Sequence, residues 1–215
     1  MKANLHIAID GPAASGKTDT GILLAKELGI SFLDTGLMYR AITYYFINSQ
    51  IDANKIESID KGVFENINIQ VTDTQTVILN NIDISKMIFS DEVNNKVSIY
   101  AGMQSVRENL VMKQQFIAEN NDIVMVGRDI GTIVLPEAEF KFFLDCSLNT
   151  RATRRMNQSD KKKFINEKDK INYRDFLDKN REISPLVPSD DAVMVFNDHI
   201  NLEETVKLIK DIILN

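Results

Sequence analysis

Eight consecutive residues, Gly11-Pro12-Ala13-Ala14-Ser15-Gly16-Lys17-Thr18, constrain this chain more than any other stretch. They complete the pattern G-x-x-x-x-G-K-[ST], and they lie between the apolar run Ile7-Ala8-Ile9 and a helical pattern, where a phosphate-binding P-loop has to lie. In such a loop backbone N–H groups curl around phosphate oxygens and the helix dipole adds positive potential. Lys17 can then reach the outer phosphates, and the Thr18 hydroxyl can ligate Mg²⁺. A plain strand-to-helix turn has no need of Gly16-Lys17-Thr18 together at the helix start.

The periodicity around this loop predicts an α/β fold. Leu5 to Asp10 reads as a buried strand, and Lys17 to Leu28 as a helix with Ile22, Leu23, Ala25 and Leu28 on one side. A strand over Ile30 to Leu33, a turn at Asp34-Thr35-Gly36 and a helix over Leu37 to Asn48 follow. Alternation of this kind implies a parallel sheet covered by helices, with ligands at the carboxyl ends of its strands. The middle changes character: Ile67 to Val71 and Thr76 to Leu79 predict an antiparallel hairpin, Asn80 to Ile84 a further short strand, and Asp91 to Glu119 two helices meeting near Gly102. Strands at Asp122 to Val126, Glu139 to Leu144 and Ala192 to Phe196, then a closing helix over Asn201 to Leu214, complete a core of five parallel strands. The expected organisation is a core of residues 1–51, 103–150 and 186–215, an insertion at 52–102 and a charged helical segment at 151–185.

At 215 residues the chain is long enough for one domain with a sizeable core. Its net charge of −6 argues against a general polyanion binder, so a nucleic acid partner is not expected. No apolar run is long enough for a bilayer span. The single Cys146 allows no internal disulfide, and no charged segment followed by a long apolar stretch opens the chain, so a cytoplasmic location is expected; a monomer is expected as well. His6 and His199 lie far apart without Cys neighbours, which speaks against zinc, and His6 is expected in or beside the first strand. The segment with Arg151, Arg154, Arg155 and Lys161-Lys162-Lys163 is either a solvated hairpin or a mobile lid bringing arginines over phosphate. Beside a P-loop the lid is preferred.

Four further constellations accompany the loop: Leu33-Asp34-Thr35-Gly36-Leu37-Met38-Tyr39-Arg40, Ser105-Val106-Arg107, Gly127-Arg128-Asp129-Ile130-Gly131-Thr132, and Arg174-Asp175 with Asp178, Arg181 and Ser184-Pro185-Leu186. Together they resemble the bacterial cytidylate (CMP) kinases of the nucleoside monophosphate kinase group, from the first strand to about Ala192. The resemblance implies a P-loop kinase core with a five-stranded parallel sheet, an inserted antiparallel β plus helix region for the acceptor nucleotide, and a helical lid. It implies direct phosphoryl transfer from ATP to CMP or dCMP with Mg²⁺. It gives catalytic roles to Lys17, Arg128 and Arg181, with Lys17 accompanying the transferred phosphate, and puts the P-loop with Arg151 and Arg155 on ATP. Thr35, Arg40, Ser98, Arg107, Arg128, Asp129, Arg174, Asp178 and Arg181 would meet the acceptor. Within that set, Ser98, Arg107 and Asp129 would meet the base, Arg174 and Asp178 the sugar, and Arg40, Arg128 and Arg181 the phosphate.

The chemistry suits these residue types. Guanidinium groups grip phosphate through paired donors, and a carboxylate facing the cytosine amino group would be left unpaired by uracil. Each residue also has a plainer reading: Arg128 and Asp129 as a mutual ion pair, Ser98 bonded back to its helix, Asp178 and Arg181 as an ordinary helix pair. The chain departs from the pattern at Ala14, where Gly is usual, at Asp19 directly after Thr18, and at Val126, where an acid usually precedes Gly127-Arg128-Asp129. The segment between Arg155 and Arg174 is also a few residues short. A catalytically weakened nucleotide-binding homologue, or a P-loop kinase for another small acceptor such as UMP or shikimate, are therefore the alternative readings.

Overall fold

The computed structural model describes residues 4–58, 62–158 and 164–215. Strand β1 (His6–Asp10) runs into the P-loop and helix α1 (Lys17–Leu28), followed by β2 (Ser31–Asp34) and α2 (Thr35–Asn48). Next come α3 (Gly62–Glu65), β3 (Ile69–Val71), β4 (Val77–Leu79), β5 (Ile82–Asp83), α4 (Asp91–Tyr100) and α5 (Gln104–Glu119). Strand β6 (Ile123–Gly127), a π-turn at Ile130–Val134 and β7 (Phe140–Asp145) lead to α6 (Leu148–Gln158), α7 (Phe164–Lys179), β8 (Val193–Phe196) and α8 (Leu202–Leu214).

Among the described residues the main sheet has the order β2-β6-β1-β7-β8, and every pairing in it is parallel. β1 therefore lies centrally, and the loops after β1, β2 and β6 open at the same end of the sheet. Strands β1 and β6 are buried on both faces because helices cover both, whereas the edge strand β8 buries only Val195. Ile7 and Ile9 pack with Leu24, Phe32, Val206 and Ile209 under α1 and α8, while Ala8 and Met125 face α2 and α5. The antiparallel sheet β3-β4-β5 is the predicted hairpin with its third strand. It shares the second core: Phe46 of α2 stacks on Tyr100 of α4 and meets Phe64 edge-on, beside Ile67, Val77 and Leu79. His6 lies in β1, its Nε2 2.9 Å from the Ala118 carbonyl oxygen.

Two local expectations are corrected. Asp34-Thr35-Gly36 is not a separate turn, because β2 runs straight into α2 and the Asp34 carboxylate accepts the Gly36 N–H at 2.9 Å as helix cap. Helix α1 does not bury a stripe led by Ile22, which is exposed. Its buried residues are Lys17, Thr20, Gly21, Leu24 and Ala25. A Cβ at Gly21 would come within 2.5 Å of Phe32 and 2.6 Å of Val126, so the glycine sets how closely α1 rests on the sheet. The Lys161-Lys162-Lys163 run lies outside the described residues.

Candidate active site

The P-loop backbone takes conformations that side chains resist. Gly11 and Gly16 have φ of 149° and 93°, and a Cβ on Gly11 would press to 2.1 Å from the Leu144 carbonyl oxygen. Ala14, at φ 61°, holds a left-handed conformation with a methyl group attached. Ala14→Gly is therefore expected to stabilise the protein by about 1 kcal/mol, raising Tm by roughly 2–4 °C in a chain of this size. A melting curve that does not move would show that the loop carries no such strain.

Lys17 is buried, and its Nζ donates to the Pro12 carbonyl oxygen at 2.6 Å and lies 3.3 Å from Ser15 Oγ. Burial, then the nearby Arg128 charge, lowers its pKa well below that of an ordinary lysine. An incoming anion would reverse that. The Thr18 hydroxyl donates to Asp34 Oδ2 at 2.7 Å. A hydroxyl and a carboxylate are the hard oxygen donors Mg²⁺ takes when nucleotide phosphates and water supply the rest, so these residues fit the cation the resemblance implies.

From the P-loop a cavity of about 370 Å³ extends over the carboxyl ends of β2 and β6. Its lining includes Ala14 to Thr18, Thr35, Arg40, Ser98, Arg107, Arg128, Asp129, Arg155, Arg174, Asp178 and Arg181. Residues distant in sequence thus share one wall. Arg128 does not pair with its neighbour Asp129: its Nε donates to Asp178 Oδ2 at 2.8 Å, from the residue after β6 across to α7. Burial works against the Arg128 charge, but the Asp178 carboxylate outweighs it and raises the pKa. Asp178 is held below the usual carboxylate range, burial being outweighed by Arg128, Arg174 and Arg181. Arg40 donates to the Ile88 carbonyl oxygen at 3.0 Å and Asn94 Oδ1 at 2.8 Å, with its guanidinium 5.0 Å from the Phe89 ring centre. Burial, with Arg174 next, lowers Arg40 to about 9; burial, with Arg128 next, lowers Arg174 to about 10. Arg174 Nε and Arg181 Nη2 are buried without a hydrogen-bond partner. Unpaired guanidinium donors crowded at such cost call for an anion.

In the same cavity Arg107 and Asp129 form a buried ion pair. Arg107 is oriented by two more bonds, Nε to Ser184 Oγ at 3.0 Å and Nη1 to the Ala101 carbonyl oxygen at 2.9 Å, and it lies 5.3 Å from the Tyr39 ring centre. Thr35 Oγ1 donates to the Val126 carbonyl oxygen at 3.0 Å.

A second cavity of about 390 Å³ lies on the other side of Ala14 and Gly16, lined also by Arg154, Asn157, Asn197, Ile200 and Leu202. Arg154 Nη1 and Asn197 Nδ2 both donate to the Ser15 carbonyl oxygen, at 3.1 and 3.0 Å. Arg151 lines neither cavity. Its guanidinium is bonded to Asp175, to the Ala13 carbonyl oxygen at 3.3 Å and to the Cys146 carbonyl oxygen at 3.2 Å, so it ties α6 and α7 to the P-loop. Of the P-loop, Gly11, Pro12 and Ala13 line neither cavity.

Several contributors were missed by sequence reasoning, for lack of any local signal. Gln75, at the hairpin tip, lines the main cavity with both carboxamide atoms buried and unpartnered, while Asp73 Oδ1 accepts the Phe32 N–H at 3.0 Å and pins the tip to β2. Asp10, almost fully buried, accepts the N–H groups of Ile130 and Gly131, each at 2.8 Å, and so ties the end of β1 to the turn after Arg128-Asp129. Burial raises Asp10 from 3.8 to about 6, with Asp129 adding and the two N–H groups and Lys17 opposing. The sign follows: the folded chain binds this proton more tightly than the unfolded one, so this group's contribution to stability declines as pH rises from about 4 to about 6. Protonation also sets a hydroxyl against a backbone N–H and loosens the Arg128-Asp129 loop. KM for the acceptor is expected to climb as pH falls through about 6 without a loss of stability from this group, and an Asp10→Asn variant should lose that inflection.

A parallel sheet with a P-loop at its centre, a cationic cavity at its carboxyl edge and helices α6 and α7 beside the loop define a P-loop kinase fold. Solved structures share that fold: shikimate kinase from Bacteroides thetaiotaomicron matches at 12% identity and TM-score 0.53, covering 98% of this chain and 99% of that one. An uncharacterized protein from Eubacterium ventriosum matches at 11% identity and TM-score 0.54, covering 98% of each chain. The family model for cytidylate kinase matches residues 7–215, and the chain belongs to that family. Cytidylate kinase from Bacillus anthracis is 42% identical over 221 residues, covering 100% of this chain and 98% of that protein, and the protein of that name from Bacillus cereus is 42% identical over 220 residues, covering 99% and 97%.

Proposed function

We propose that this chain transfers the terminal phosphoryl group of ATP to CMP or dCMP, giving ADP and CDP or dCDP. Family membership and the relatives' name support the reaction. The observation that carries it onto these residues is the shared cavity: P-loop Lys17, the arginines 40, 128, 174 and 181, and the Arg107–Asp129 pair line one wall. Phosphoryl transfer needs two polyanions brought in line, with charge neutralised and water excluded, and that is what such a wall supplies.

In this reading Lys17 follows the transferred group, and Arg40, Arg128 and Arg181 hold the acceptor phosphate. Arg174 and Asp178 meet the sugar, with Thr35 close to the acceptor. Arg107, Asp129 and Ser98 read cytosine, whose amino group donates where uracil offers a carbonyl. The second cavity takes the donor base, with Arg154 and Arg155 rather than Arg151 on the ATP side. Mg²⁺ bound with the donor would neutralise its phosphates, and the Thr18 hydroxyl would be one of the protein groups that hold it. Residues 52–102 act as the acceptor-binding insertion and 151–185 as the lid, on a core of 1–51, 103–150 and 186–215. A cytoplasmic monomer without nucleic acid or membrane partners completes the proposal; no helix among the described residues is long and apolar enough to cross a membrane.

The test is a coupled ADP-release assay with ATP and Mg²⁺ against CMP, dCMP, UMP, AMP and GMP in parallel. Turnover with CMP and dCMP well above the others is expected. No turnover with any acceptor, from folded protein, would replace the proposal with a nucleotide-binding role.

A further inference from the structure

The main cavity is lined by the carboxylates of Asp19, Asp34, Asp129 and Asp178. Two of them are committed to arginines, Asp129 to Arg107 and Asp178 to Arg128. Asp34 is held differently: Oδ1 accepts the Gly36 N–H at 2.9 Å, and Oδ2 accepts the Thr18 hydroxyl at 2.7 Å. The bond to Thr18 reaches the first turn of the helix that follows the P-loop. A hydroxyl whose proton is given to a carboxylate keeps its lone pairs for a cation.

The sheet register adds a second, independent observation. Asp34 is level with Val126 across the parallel β2–β6 ladder, and neighbours level in such a ladder point to the same face. That face is the one under α1, since Val126 Cγ1 and Phe32 are the atoms a Cβ on Gly21 would strike. Position 126 is therefore a place next to Asp34, on the same face and in the same cavity lining as Thr18, where a carboxylate could stand, and here it is apolar and 1% exposed. The electrostatics point the same way. Lys17, Arg40, Arg128 and Arg174 all feel the Asp34 charge, and a divalent cation entering so positive a field needs a carboxylate beside it as well as phosphate.

We infer that Asp34, acting with the Thr18 hydroxyl, forms the protein's side of the divalent cation site, in place of a carboxylate at position 126. The inference rests on the phosphoryl-transfer reading for the presence of a donor nucleotide, and it involves no acceptor. Asp34 thus has two tasks, one oxygen capping α2 and the other serving the cation. Asp19, which also lines the cavity, is exposed and makes no such bond to Thr18.

The test is metal binding rather than turnover. Free Mn²⁺ is followed by its electron paramagnetic resonance signal during titration into protein saturated with ADP, and ADP affinity is measured separately in EDTA. Asp34→Asn keeps the helix cap, because Asn caps as well as Asp, and should weaken Mn²⁺ binding by about 10- to 100-fold with ADP affinity in EDTA unchanged. Thr18→Val, which leaves the cap untouched, should weaken Mn²⁺ binding likewise, and adding Val126→Asp to Asp34→Asn should restore it. Unaltered Mn²⁺ affinity in Asp34→Asn, or an equal loss of ADP binding in EDTA, would overturn the inference while leaving the reaction standing. Wild-type protein that binds no ADP would overturn the phosphoryl-transfer reading and the cation site with it.

Discussion

Lys17→Ala is expected to reduce kcat with ATP and CMP by about 10³-fold or more, roughly 4 kcal/mol of transition-state stabilisation. The free protein pays nothing for this lysine's removal. Its ammonium is buried in a site where burial and Arg128 both disfavour the charge, and its bonds reach only its own loop, to Pro12 and Ser15. Melting temperature should therefore hold or rise as turnover disappears. That combination separates a group that acts on phosphate from one that supports the fold, where both would fall together. Normal turnover from purified Lys17→Ala protein would remove the lysine from the mechanism.

Asp129→Asn tests base reading. The carboxylate is the natural partner for a cytosine amino group, whereas an amide can also donate to a uracil carbonyl. The kcat/KM for CMP should fall by about 10²-fold or more, and that for UMP should hold or rise, so discrimination shrinks more than either rate alone. Stability should fall by about 1–3 kcal/mol, because Arg107 keeps a hydrogen-bond partner and loses its buried counter-charge. Initial rates with the two nucleotides decide it. An unchanged CMP to UMP ratio would place base selection elsewhere.

The architecture was legible because it rests on local patterns. The two periodicities, the glycines of the P-loop and the polar hairpin turn located nearly every strand and helix of the core, as well as the antiparallel insertion. Asp34 shows where local reading stops. In sequence Asp34-Thr35-Gly36 has turn composition, yet a strand end and a helix cap use the same residues, and only the packing of α2 on the sheet separates them. Ile22 shows it again, since the burial face of α1 follows from the close approach that Gly21 permits.

The site divides in the same way. By itself the sequence determined where the loop would lie and pointed to phosphate as its ligand, because a P-loop acts through its own backbone and a few adjacent side chains. It also supplied the arginines and acids that line the main cavity. Only the tertiary structure decided their pairing: Arg128 with Asp178 rather than Asp129, Asp129 with Arg107, Arg151 with Asp175, Asp10 with the turn after β6. Those partners lie between 22 and 121 residues apart along the chain. The reason is physical: a buried charge takes whichever counter-charge the folded chain brings within a few ångströms, and separation along the chain carries no information about that distance.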